Sequence, residues 1–179
     1  MDDIDTPEWA DNPRLKRWLD SRRSAFPQWA LEQGGRWDFS VASLGRLEEL
    51  VKRRYPSYEA AESGSRSAFS SVAAWYLGEV LVHSHGLVWR CVPEEPPAPP
   101  VAGGRPLVYA DRSTIPAAAL ELLDEDAEAG GEDDAIPWQP VIDPAATLQG
   151  VCAQEADWSL AYWAQACAEF RRWGETASR

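Results

Sequence analysis

The sequence predicts a helix-rich α+β domain with a small, mainly antiparallel sheet of two to four strands covered by helices. Three observations carry that expectation. Between Ser65 and Cys91 the run SRSAFSSVAAWYLGEVLVHSHGLVWRC changes from a helical apolar period to a two-residue alternation within a few positions. Before it, WDFSVASLGRLEELVKRRYP carries a helical stripe closed by a proline, and after it RPLVYADRST alternates again as a strand.

Taken in order, residues 1–12 read as an acidic, loosely held lead-in, and residues 13–175 as one domain. Leu15, Trp18, Leu19 and Arg22 give a helix from Pro13 to about Arg23. Pro27 then suits the first turn of a second short helix that Gly34 and Gly35 end. In the next helix Leu44, Leu47, Leu50 and Val51 form the apolar stripe, with Ser40 or Ser43 as N-cap. Lys52, Arg53 and Arg54 suit the carbonyl end of its dipole, and Pro56 stops it. Phe69, Val72, Ala73, Tyr76, Leu77 and Val80 then recur at steps of three and four, which places them on one face of a core helix.

Gly86 turns the chain into a strand, with Val88, Arg90 and Val92 on one face and Leu87, Trp89 and Cys91 on the other. The proline-rich connection 93–104 lacks the donors a ladder needs. Leu107 and Tyr109, opposite Val108 and Ala110, make a second strand pairing with residues 87–92 as a long-looped antiparallel hairpin. A third strand is expected near Trp37 or Val141. Pro116 opens a helix with the stripe Ala119, Leu120 and Leu123, which frays into an acidic loop over 124–135. The last helix, from about Asp157 to Trp173, carries Trp158, Tyr162, Trp163, Cys167, Phe170 and Trp173.

The 179 residues carry a formal net charge of −12, unevenly placed. Residues 1–90 hold 12 basic and 13 acidic side chains, residues 91–179 hold 5 and 16. Such a field repels nucleic acid and anionic membrane and attracts a basic protein surface. The N-terminus shows no secretion signal, and no run of about eighteen apolar residues offers a membrane span. Three cysteines without a C-x-x-C pair fit a reducing, cytoplasmic setting. The preference for arginine over lysine and the abundance of alanine point to a GC-rich, actinobacterial genome.

His83, His85 and Cys91 are the candidate metal ligands, since an H-x-H on a strand would place both imidazoles on one face beside the thiol. The competing reading is a polar helix-to-strand turn beside a buried thiol, and no metal or other cofactor is expected. Glu79, inside an apolar helix, must be paired or raised in pKa. It could serve as a general base, or orient a ligand in a pocket with Tyr76, Trp89, Tyr109, Asp111 and Arg112. The preferred reading is structural, with the carboxylate accepting from loop amides or from an arginine such as Arg112. Asp111 with Ser113 and Thr114 likewise reads as a turn that caps the next helix. Phosphate-loop, G-x-S-x-G, H-E-x-x-H and paired-cysteine fingerprints are all missing, which leans away from an enzyme. Eight acids lie between Glu121 and Asp134. Among them Asp124, Glu125, Asp126, Asp133 and Asp134 are the candidate docking surface for an arginine- or lysine-rich partner.

The segment Trp75-Tyr76-Leu77-Gly78-Glu79-Val80-Leu81-Val82, followed by Gly86 and Trp89, is preceded by Ser43-Leu44-Gly45-Arg46-Leu47-Glu48. Together these resemble small bacterial domains of unknown function, in which a helix ending in a Y-L-G-[ET]-V motif leads to a tryptophan-bearing strand and follows a helix of the S-L-x-x-L-E kind. The resemblance covers residues 37–112. It implies a compact α+β fold, common in actinobacteria, and no established activity. The proline-rich connection and the acidic segment are departures from that pattern.

The functional expectation is therefore a non-catalytic cytoplasmic binding protein, an acidic inhibitor or immunity-like partner of a basic protein. Two alternatives stand beside it: an accessory enzyme or small-ligand protein with a pocket near Glu79, and a subunit of a larger assembly.

Overall fold

The computed structural model describes residues 2–93, 105–130, 135–153 and 159–177, which form a helix-rich α+β domain. A 3₁₀ turn at Asp2–Asp5 leads to α1 (Pro7–Ala10), α2 (Pro13–Gln33), α3 (Ser43–Arg54), α4 (Tyr58–Ser63) and α5 (Ala68–His85). Strands β1 (Val88–Arg90) and β2 (Leu107–Tyr109) follow, then α6 (Ala117–Ala129), β3 (Val141–Ile142), α7 (Pro144–Gly150) and α8 (Leu160–Ala177). The sheet order is β1-β2-β3, antiparallel throughout, with Val88 opposite Tyr109 and Val108 opposite Ile142. The hairpin is thus the expected one, and of the two candidate third strands the chain uses Val141.

Helix α5 is the hub. Every residue from Val72 to Leu81 is buried, so the helix is enclosed on all sides rather than on the single predicted face. It packs against α2, α3, α7, α8 and the sheet. A helix apolar all round needs such a jacket. Ser67 caps its start by accepting from the Ser70 amide, and Gly86, at φ 73°, ends it.

Helix α2 differs from expectation. It runs unbroken through Pro27, although an interior proline removes one hydrogen bond and costs about 3 kcal/mol. The offset comes from aromatic packing on both sides of the proline. Phe26 lies 5.6 Å from Tyr76 and 5.3 Å from Trp75, and Trp29 contacts Trp37, Phe69 and Tyr76. Each such buried ring contributes roughly 1.5–3 kcal/mol, and a break at Arg23 would forfeit that continuous face.

The predicted caps of α3 also differ. Ala42 occupies the N-cap position, and Ser43, inside the helix, bonds the Ser40 carbonyl and the Tyr76 hydroxyl instead. The same hydroxyl accepts from the Phe39 amide, holding that residue at φ 58°, an uncommon conformation for a phenylalanine. Leu44, Leu47 and Val51 fill the interface below, as their spacing predicts. Glu48 reaches across to accept from the Leu160 amide at 2.8 Å, capping α8 from a distant part of the chain. Gly45 lies on the exposed side of α3, and a Cβ added there would meet nothing within 4 Å. Gly45→Ala is therefore expected to raise stability by about 0.5–1 kcal/mol, the helix-propensity difference, measured by urea denaturation.

The lead-in is held rather than loose. Ile4 and Asn12 are buried, the Cys91 amide donates to the Trp9 carbonyl at 3.0 Å, and Asn12 Nδ2 donates to the Cys91 carbonyl at 2.9 Å. The segment thereby covers the sheet face opposite α5. That explains why Arg90 is buried despite its charge: Nε donates to the Ile4 carbonyl and Nη2 to Asp111.

Candidate functional site

The pocket expected around Glu79 is filled. Trp89 Nε1 donates to Glu79 Oε1 at 2.8 Å, and His83 Nε2 lies 3.7 Å from Oε2. The carboxylate's partner is thus an indole and not Arg112. The ring of Trp89 rests directly on the backbone of Gly78, where an added Cβ would lie closer than 3.0 Å to Cζ2 and Cη2. Trp18 closes the other side, 5.2 Å between ring centroids. Tyr76 is fully buried, its hydroxyl spent on Ser43 and Phe39. Glu79 lines neither the hollow between α3, α4, α5 and α7 nor the one beside His85.

The six candidate pocket residues do not converge, because strand alternation divides them. Trp89 turns towards α5, whereas Tyr109, paired opposite Val88, shares the face that carries Arg90. There the Tyr109 hydroxyl donates to Asp5 Oδ2 at 2.9 Å and accepts from Gln139. Burial, with the Asp5 carboxylate adding to it, raises the phenol well above its ordinary range. Arg112 turns outward to Asp124 and lies 4.0 Å from Asp5.

Asp111 makes the expected turn, but it caps the 3₁₀ segment Arg112–Thr114 and not the helix after it, whose N-cap is Pro116; it also holds Arg90 at 2.7 Å. Burial pushes its carboxyl up, but hydrogen bonds from the Ser113 side chain and amide and the charge of Arg90 outweigh that, leaving it below the ordinary 3.8. A depressed native value means stabilisation that is present above the unfolded pKa and lost as pH falls through the native one. Asp111→Asn is expected to cost about 2 kcal/mol at neutral pH, as for a hydrogen bond to a charged group. The difference from wild type should vanish as the pH falls below the native value of Asp111, which paired urea denaturations at neutral and strongly acidic pH measure.

The metal reading fails on geometry. Helix α5 persists to His85, so His83 and His85 point to different sides of a helix rather than one face of a strand. Among the described residues no group of three histidine, cysteine or acidic side chains is placed to hold an ion. The Cys91 thiol is buried.

The acidic segment takes a form the sequence did not predict. Residues 124–129 are helical, because Gly130 in the left-handed region closes α6 by donating to Ala127 and Asp126. Asp133 and Asp134 lie outside the described residues. Ala119 and Leu123 bury one side of α6 against α8, and Asp124 pairs with Arg112. Glu121, Glu125 and Glu128 stand at i, i+4 and i+7 on the exposed side, and none has an ion pair or hydrogen bond to a described residue. Two aromatic side chains stand out on the surface. Trp138 is 50% and Tyr162 52% exposed, and both contact Trp163 at 5.8 Å. Tyr162 therefore leaves the predicted core stripe of α8, where Leu160, Ala164, Cys167 and Phe170 are buried.

A second feature lies where the end of α5 meets β1, the Thr114–Pro116 segment and α8: a cleft of about 420 Å³. His85 is the one candidate site residue that lines it, beside Cys167 and Phe170, which the sequence placed only on the apolar stripe of the last helix, and Arg171.

Compared with protein-family models, curated proteins and solved structures, the chain has no match in any of the three. No described helix is long and apolar enough to cross a membrane.

Proposed function

We propose that the protein is a non-catalytic binding module that docks on a basic partner protein, as an acidic inhibitor or immunity-like protein would, in the cytoplasm. The observation that carries this reading is the exposed face of α6. Glu121, Glu125 and Glu128 are held in register on a folded helix with no basic residue among them. Carboxylates fixed in this way meet a basic surface without the ordering cost of a floating loop. Trp138 and Tyr162 offer exposed aromatic area of the kind enriched at binding hot spots. The filled core at Glu79 favours this reading over a catalytic or ligand pocket there. On the same reading the chain is a bacterial domain of the Tyr-Leu-Gly-Glu-Val kind, with the departing acidic segment as its own binding surface.

The test is affinity capture of the tagged protein from its source cells at low and at high salt, with mass spectrometry of what is retained. A basic protein lost as salt rises is the expected result. Retention that ignores salt, or no partner at either salt, contradicts it. The exposed aromatics favour one second reading, a subunit of a larger assembly, for which retention would survive high salt and depend on Trp138.

A further inference from the structure

The lead-in is held by the rest of the chain in the manner of a bound peptide. Among residues 4–11 only Ile4 is buried. Its side chain is the apolar anchor, and its carbonyl accepts from Arg90 Nε at 3.1 Å. Asp5 follows it, accepting from the Tyr109 hydroxyl at 2.9 Å and lying 4.0 Å from Arg112 Nε. Further along, the Trp9 carbonyl accepts from the Cys91 amide at 3.0 Å. Main-chain carbonyls met by fixed donors, one seated apolar side chain and one carboxylate read by a hydroxyl and a guanidinium are the parts of which peptide recognition is made.

The receiving face keeps its geometry without the lead-in. Arg90 is fixed by Asp111 and the Trp89 carbonyl, Tyr109 by Gln139, and Arg112 by Asp124. With its pKa raised, the Tyr109 phenol stays a donor at neutral pH. Charge is complementary as well. Residues 2–11 carry five acidic side chains and no basic one, whereas the face offers Arg90 and Arg112, with Arg14 beside them donating to the Val92 carbonyl at 3.3 Å. A segment seated by a single buried side chain is the kind that opens locally while the domain stays folded. Asn12, which ends it, is tied down separately, donating to the Cys91 carbonyl and accepting from the Leu15 amide as the cap of α2. Opening about the exposed Asp11 therefore leaves α2 and the sheet in place.

We propose that this face of the sheet is a peptide-binding groove, that residues 2–11 are its resident occupant and hold it closed, and that the partner displacing them is an acidic peptide with an aliphatic side chain followed by an aspartate. The groove is separate from the exposed face of α6 and takes a partner of the opposite charge. Arg112, between Asp5 and Asp124, is the contact that joins the two.

The experiment is fluorescence anisotropy of a labelled synthetic peptide of residues 2–11, titrated with the full chain as wild type and as Ile4→Ala, Asp5→Asn, which strips the resident segment of its anchor and its carboxylate. The expected result is saturable binding to the double variant and binding about tenfold weaker or more to the wild type, whose groove is filled. A peptide with the same two substitutions should bind the double variant about tenfold more weakly, and Tyr109→Phe added to that variant should weaken the unsubstituted peptide several-fold. Native-state hydrogen exchange of the wild type is the second measurement, and it decides alone if the double variant does not fold. The Cys91 amide, which opening frees, should exchange about a hundredfold faster than the Tyr76 and Leu77 amides of the core helix. No saturable binding to a folded double variant overturns the proposal, and so does equal binding to the wild type or indifference to the substitutions in the peptide. Equal protection of Cys91 and Tyr76 overturns it too, since the segment would then open only with the whole domain.

Discussion

Gly78→Ala is expected to destabilise the protein by about 3 kcal/mol. The added Cβ would lie closer than 3.0 Å to two ring atoms of Trp89, so something must move. The neighbours leave the ring little room, because Trp18 packs on it and its Nε1 is tied to Glu79. Overpacking of this kind costs about 1–3 kcal/mol. A displaced indole would also leave the Glu79 carboxylate buried without its donor, which adds about 1–3 kcal/mol. Urea denaturation of the single variants and of Gly78→Ala with Trp89→Phe checks the cause. Trp89→Phe removes the atoms that the new methyl strikes, so the double variant should lose less than the sum of the two singles. Additive losses would mean that the clash is not the reason.

Neutralising the exposed face of α6 should do the opposite, sparing stability while removing binding. The variant Glu121→Gln, Glu125→Gln, Glu128→Gln removes three carboxylates that have no described partner. Two of them lie in the half of the helix nearest its carbonyl end, where negative charge is unfavourable. Folding stability is therefore expected to stay the same or rise by a few tenths of a kcal/mol. Exposed ion pairs are worth about 0.2–1 kcal/mol each, so losing three lowers affinity for a basic partner by roughly threefold to 150-fold. A thermal melt and a binding isotherm on the same preparation check both halves.

Much of the fold is legible in the sequence because its long elements obey simple periods. The stripe Leu44, Leu47 and Val51, the hairpin of β1 with β2, and the start of α6 behind Pro116 follow from spacing and proline placement alone. The single helix over Pro13–Gln33 is not legible in this way. Its deciding term is the contact of Phe26 and Trp29 with α5, which a local rule about Pro27 does not contain. The short α4 and α7 escape the apolar periods, although Ser57 and the pair Asp143-Pro144 are ordinary start signals, each cap side chain accepting from a helix amide.

The candidate site shows the same division. Burial of Glu79 can be read from its apolar surroundings, but its donor, Trp89, is set by the turn at Gly86 and the close seat on Gly78. The expected fraying of α6 from Asp124 is wrong because the charge argument ignores Gly130, whose left-handed conformation closes the helix, and Arg112, which neutralises Asp124. Cys167, Phe170 and Arg171 meet His85 only through the packing of α8 on α5, so no spacing in the sequence could join them.

The most direct test of the docking account is the dependence of partner affinity on ionic strength, measured side by side for the wild type and the α6 triple glutamine variant. The account predicts a steep fall in affinity with salt for the wild type and a weaker, nearly flat dependence for the variant, because the carboxylates that salt screens are then absent. Parallel curves of equal slope and equal affinity would contradict it, since the basic partner would then be held by a surface other than α6.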